Sequence, residues 1–139
     1  MIFSNKIING MDAEPALMEC TASGWGVEHP DDILVPTYLK WTQATAVTDA
    51  ECSEMIYPYF DAQCHICTRP QDYNSGVCFG DSGGPLACRS SPSAPWKLYG
   101  LASFVMSNDC STDFANAWAK ANGNRGRNWI KEACGDCFE

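Results

Sequence analysis

Short runs of aromatic and β-branched residues, separated by clusters of turn formers, set the pattern along this chain. Tyr38 to Val47 (YLKWTQATAV) partly alternates between apolar and polar positions, which predicts a half-buried strand. Thr48-Asp49-Ala50-Glu51 has the form of a capping box and predicts a short helix opening near Cys52. Arg69 to Ser75 is polar, contains Pro and Asn, and reads as a loop. Pro85 to Cys88 reads as a short strand, Ser90 to Pro95 as a hairpin tip, and Trp96 to Phe104 as the returning strand. Asn116 to Ala121 is a further strand candidate. Asn128 to Ala133 predicts a terminal helix, with Gly135 just past its end. Short strands at this spacing predict an all-β fold: a single antiparallel β-barrel with a C-terminal helix. No internal repeat and no dividing linker is visible.

Composition narrows the field. The chain has 139 residues, 45% of them hydrophobic and 19% charged, enough for one domain with a core and unlike a disordered segment. The net charge of −8, with no basic run, argues against a nucleic-acid partner. No apolar stretch approaches the ~18 residues of a membrane span. Nine cysteines in a chain of this size point to a disulfide framework and an oxidising, extracellular setting. The N-terminus, Met1-Ile2-Phe3-Ser4-Asn5-Lys6, does not read as a signal peptide, having neither a basic start nor an apolar stretch of ~7–15 residues.

The chemistry concentrates at Gly80-Asp81-Ser82-Gly83-Gly84-Pro85. A serine between glycines sits on a turn where backbone N–H groups can approach a substrate carbonyl, because glycine has no Cβ to obstruct them. The motif offers a nucleophile and an oxyanion hole within six residues. A serine hydroxyl is a weak nucleophile unless a base stands beside it.

From Cys20 to about Ile130 the chain resembles the C-terminal half of a chymotrypsin-like serine endopeptidase. The resemblance rests on Cys20-Thr21-Ala22-Ser23-Gly24-Trp25-Gly26, on Cys78-Phe79 through Pro85-Leu86-Ala87-Cys88, on Tyr99-Gly100-Leu101-Ala102-Ser103-Phe104, and on Asn128-Trp129-Ile130, in order and in register. It implies Ser82 as nucleophile and the Gly80 and Ser82 N–H groups as the oxyanion hole. It also makes Lys6-Ile7-Ile8-Asn9-Gly10 look like the family's activation site, where cleavage frees an α-amino group at Ile7 that pairs with Asp81. The chain then divides into an N-terminal segment, residues 1–19, and a shortened protease domain, residues 20–139.

The primary pocket, by the same resemblance, has Gly76 at its floor, six positions before Ser82. Val77 and Phe79 flank it, and Ser103-Phe104-Val105 and Asn116 form its walls. Valine narrows the slot, and no acidic residue stands at the floor, so small or apolar side chains are the expected preference. The implied disulfides are Cys20–Cys88, Cys52–Cys67 and Cys78–Cys110. Each contributes ~2–4 kcal/mol, mainly by restricting the unfolded chain. Cys64, Cys134 and Cys137 remain: either the last two close on each other, or Cys64 bonds one of them. Cys64-x-x-Cys67 with Cys134-x-x-Cys137 is also zinc-ribbon spacing, a competing reading. No metal and no cofactor is expected otherwise.

The family's fold has two barrels and runs to ~200–250 residues. Here Ile7 is followed almost at once by Cys20, so the first barrel, with its catalytic histidine and aspartate, is not expected in this chain. The two histidines, His29 in a polar turn and His65 in a strand, do not stand where the family places its base. Three readings follow: an endopeptidase whose base comes from elsewhere, a non-catalytic homologue that binds peptide or protein, or a product with an omitted internal segment. A missing barrel would also expose the face it covered, which predicts self-association.

Overall fold

The computed structural model describes residues 18–71, 75–107, 110, 115–121 and 123–134. Six strands and two helices follow in the order β1 (Glu19–Gly24), β2 (Lys40–Ala46), α1 (Asp49–Met55), β3 (His65–Pro70), β4 (Pro85–Arg89), β5 (Lys97–Val105), β6 (Asn116–Lys120) and α2 (Asn124–Cys134). The strands close into an antiparallel barrel in the order β1-β2-β3-β6-β5-β4. Closure pairs every strand with a neighbour on each side, although β2 meets β3 only over Ala44–Ala46.

Small side chains line the interior because six strands leave little room inside. One cluster joins Cys20, Ala22, Ala46, Ile66, Leu86, Cys88, Tyr99, Ala102 and Trp118. Trp118 is its largest member, 1% exposed, and packs against Gly100, two positions from its register partner Ala102: a Cβ at Gly100 would stand 2.9 Å from the Cβ of Trp118. A second cluster, Val47, Cys52, Ile56, Cys67, Ala115 and Ala117, packs under α1. All three disulfides implied by the resemblance form. Cys20–Cys88 links register partners on β1 and β4, and Cys52–Cys67 pins α1 to β3.

The capping box forms as the sequence indicates. The Thr48 hydroxyl accepts from the Glu51 N–H at 3.2 Å, and the Glu51 carboxylate accepts from the Thr48 N–H at 3.5 Å. Two expectations need correction. The segment read as a loop from Arg69 begins as strand, since β3 runs to Pro70, which is paired with Ala44. Proline is tolerated there because it ends the strand. The terminal helix starts at Asn124, four residues earlier than expected. Its first turn contains Gly126, where a Cβ would lie 2.7 Å from the Lys120 carbonyl. That glycine lets the helix dock against the end of β6.

Candidate active site

The Ser82 turn is fixed at both ends. It leaves Cys78, tied to Cys110, and enters β4 at Pro85, paired with Leu101 on β5. Gly80 and Gly83 have φ of +98° and +79°, the left-handed region that glycine enters without strain. The Gly83 N–H donates to the Ala102 carbonyl at 2.9 Å, and the Ala102 N–H donates to the Gly84 carbonyl at 2.8 Å. These bonds lay the turn on β5 and leave Ser82 exposed at its crest.

Asp81 points the other way, half-buried against the exit of β1. Its Oδ1 accepts from the Gly26 N–H at 2.8 Å and its Oδ2 from the Cys78 N–H at 3.0 Å. Alongside, the Val27 N–H donates to the Phe79 carbonyl at 2.9 Å. The N–H groups of Gly80 and Ser82 have no acceptor among the described residues. Ile7, the expected partner of Asp81, lies outside the described residues.

Neither histidine reaches Ser82 through a hydrogen bond. His29 sits in an exposed turn, where its Nδ1 accepts from the Asp31 N–H at 3.4 Å and lies 3.7 Å from the Asp31 carboxylate. His65 opens β3, three strands from β4 in either direction around the ring. Its Nδ1 accepts from the Asp61 N–H at 3.1 Å, and its ring meets Phe104 edge-on at 5.6 Å. Among the described residues, no side chain hydrogen-bonds the Ser82 hydroxyl.

The residues expected to line the pocket are distributed as follows. Val105 and Asn116 are direct cross-strand partners, so the two wall positions stand side by side. Ser103 is the extra residue of a bulge between Ala102 and Phe104, and it is exposed. Bulges re-aim side chains next to sites of this kind. Gly76 is exposed, and Phe79 is 51% exposed. Val77 packs on the first core cluster and Phe104 on the second.

The remaining cysteines resolve one open point. Cys64 is a free thiol, and Cys134 is disulfide-bonded, so Cys64 does not bond that tail cysteine. Cys67 and Cys134 are then unavailable as zinc ligands, and no metal-binding group of acidic, His or Cys side chains forms among the described residues. Asp61 accepts a hydrogen bond from the Cys64 thiol. That bond, more than burial, holds the thiol above its ordinary pKa, while Asp61 is held low by the Gln63 N–H and by the same thiol.

Sequence reasoning missed the roles of Gly24 and Gly26. A Cβ on Gly24 would collide with the Asp81 carboxylate, and one on Gly26 would lie 2.6 Å from each of its oxygens. The Gly24-Trp25-Gly26 spacing was the available signal. Also notable is an exposed apolar stretch: Ile33 is 95% exposed, Leu34 83%, and Val35, Tyr38 and Trp41 are all exposed.

The Trypsin family model matches residues 6–130. Over 117 residues the chain is 31% identical to fibrinolytic enzyme, isozyme C, of Lumbricus rubellus, covering 80% of this chain and 46% of the relative. It is 32% identical to kallikrein-7 of Homo sapiens over 91 residues, 66% of this chain and 33% of the relative. It is 32% identical to a trypsin of Pleuronectes platessa over 87 residues, 61% of this chain and 32% of the relative. The matches thus span half or less of each relative's length.

Proposed function

This chain belongs to the trypsin family, and from that premise we propose that it is the nucleophile-bearing half of a serine-type endopeptidase which, alone, binds peptides without turning them over. Ser82 is the nucleophile of the lineage, with the Gly80 and Ser82 N–H groups as donors to the carbonyl oxygen. For attack, the Ser82 oxygen must bond the carbonyl carbon while its proton passes to a base within ~2.6–3.2 Å. The observation that carries the proposal is the engagement of both histidines elsewhere, His29 with Asp31 and His65 with Asp61 and Phe104. In a serine protease, losing the histidine costs roughly 10⁶ in kcat.

The binding preference is for small or apolar side chains, supported by Gly76 at the floor and the Val105–Asn116 pair at the wall. The disulfides fit an extracellular setting. No described helix is long and apolar enough to cross a membrane. The stretch Ile33-Leu34-Val35 with Tyr38 and Trp41 supports a second proposal: a further copy of this chain covers that face. The test is peptide binding by calorimetry beside peptide hydrolysis, with Ser82→Ala as control. Saturable binding of peptides with small or apolar residues, with hydrolysis no faster than in the control, supports the reading. Hydrolysis that depends on Ser82 overturns it.

A further inference from the structure

His65 closes a turn whose bonds all return to Asp61. Its Nδ1 accepts from the Asp61 N–H at 3.1 Å, so that nitrogen carries no proton in this arrangement. The Cys64 and His65 N–H groups both donate to the Asp61 carbonyl, at 2.9 Å and 2.8 Å. The Asp61 carboxylate accepts from the Gln63 N–H at 2.8 Å and from the Cys64 thiol. The half-buried imidazole also meets Phe104 edge-on at 5.6 Å, and Phe104 meets Tyr59 edge-on at 6.3 Å. The loop between α1 and β3 thus reaches Phe104 twice, directly through Tyr59 and again through the ring that Asp61 holds. Phe104 follows the bulged Ser103 and precedes Val105, within the stretch of β5 read as the pocket wall.

Histidine is the side chain that changes charge between about pH 5 and 8. A protonated imidazole donates at both nitrogens and cannot accept from the Asp61 N–H, so two donors would face each other. The titratable groups around this corner are the Asp61 carboxylate, the Cys64 thiol and the Tyr59 phenol, with Lys120 on β6 and Arg125 on α2. Lys120 is held by the Ala62 carbonyl at 2.7 Å and by Asp49 at 3.3 Å, which leaves the Asp61 carboxylate as the anion within the turn itself. We infer that His65 is a proton-operated positioning residue for the peptide-binding edge: neutral, it holds the Asp61 turn and braces Phe104, and protonated, it releases the Asp61 N–H, turns toward the Asp61 carboxylate and withdraws from Phe104. Peptide binding then weakens as pH falls through the range in which the imidazole takes its proton. That consequence rests on reading Ser103 to Val105 as part of a peptide site; the change at Asp61 and Phe104 does not.

The test is amide exchange, corrected for its intrinsic pH dependence, with backbone and aromatic spectra of the full, disulfide-intact chain from about pH 7.5 to about pH 5.5. The Asp61 amide should lose protection by at least about tenfold, and the Phe104 ring resonances should move together with those of the His65 imidazole. His65→Asn keeps an acceptor oxygen near the place of Nδ1 and takes no proton, so Asp61 should stay protected and Phe104 should not move with pH. His29→Asn should leave the transition of the parent chain in place. Calorimetry with a peptide of small or apolar side chains should show affinity falling at least about fivefold over the same range in the parent, and a flat profile in His65→Asn. Simple packing by His65 would instead lower the affinity of His65→Asn at every pH and leave the parent's profile flat. Should His65→Asn not fold, the parent and His29→Asn decide, because the chain has two histidines and no third. An Asp61 amide equally protected at both ends of the range, a transition that survives in His65→Asn or disappears in His29→Asn, or peptide affinity indifferent to pH while Phe104 moves, overturns the proposal. A chain that shows the transition but binds no peptide at any pH refutes the peptide-binding reading alone.

Discussion

The indole N–H of Trp118 donates to the Thr68 hydroxyl at 2.9 Å, between β6 and β3, with both side chains buried. Tryptophan can fill the barrel centre because its one polar group finds this partner. Thr68→Val keeps the volume but strands the N–H, and should cost about 1–3 kcal/mol. Trp118→Ala should cost more, about 3–5 kcal/mol, because it opens a cavity as well. Chemical denaturation of the disulfide-intact variants measures both. Equal stability of Thr68→Val and the parent chain would contradict the hydrogen bond's role.

Val105 and Asn116, as cross-strand partners, should act together on peptide choice. Val105→Gly should shift preference toward larger aromatic side chains, by at least about tenfold in relative affinity, the low end of what one methylene supplies in a hydrophobic pocket. Stability should fall by about 1 kcal/mol, because Val105 ends β5 and is part-buried, and glycine in a strand carries an entropic cost. Calorimetry against a matched peptide pair checks this. An unchanged ratio would remove Val105 from the pocket.

Cys64 should behave as a sluggish thiol. Its hydrogen bond to Asp61 favours the neutral form, so the thiolate appears at higher pH than for an unperturbed cysteine. Alkylation needs the thiolate. The midpoint of the alkylation rate against pH should therefore lie above the ordinary thiol range, and Asp61→Asn should lower it. A midpoint unaffected by Asp61→Asn would show that the carboxylate does not govern this thiol.

The exposed run Ile33-Leu34-Val35 should drive self-association. Light scattering should show a mass that rises with concentration, and more so in salt, which screens the −8 charge each copy carries. Replacing Ile33 and Leu34 with serine should return a monomer. A parent chain that stays monomeric at all concentrations contradicts the proposal.

Much of the barrel was legible in the sequence because β2, β4, β5 and β6 carry apolar or β-branched residues between recognisable turns. Thr48 and Glu51 likewise announce α1, and the cysteine pairs followed from the family resemblance. β1 was hidden because Glu19–Gly24 is made of small residues whose burial is set by neighbours such as Cys88 and Thr45. β3 was partly hidden because Ile66, Cys67 and Thr68 are buried consecutively without alternation, and Pro70 mimics a loop. The start of α2 was obscured by Gly126, which ordinarily weakens a helix but here admits the Lys120 carbonyl. At the site, Ser82 and Asp81 were conspicuous in the motif. The cradle of Gly24 and Gly26 was not, because glycine's role is visible only when the side chain it admits comes from 55 positions away.

Ser82 stands exposed on its turn, and among the described residues no histidine hydrogen-bonds its hydroxyl. Fluorophosphonate labelling read by intact mass, on purified chain with and without the nick at Lys6, probes that hydroxyl directly. Labelling should stay at the level of Ser82→Ala in both forms. Stoichiometric labelling that disappears in Ser82→Ala would contradict it.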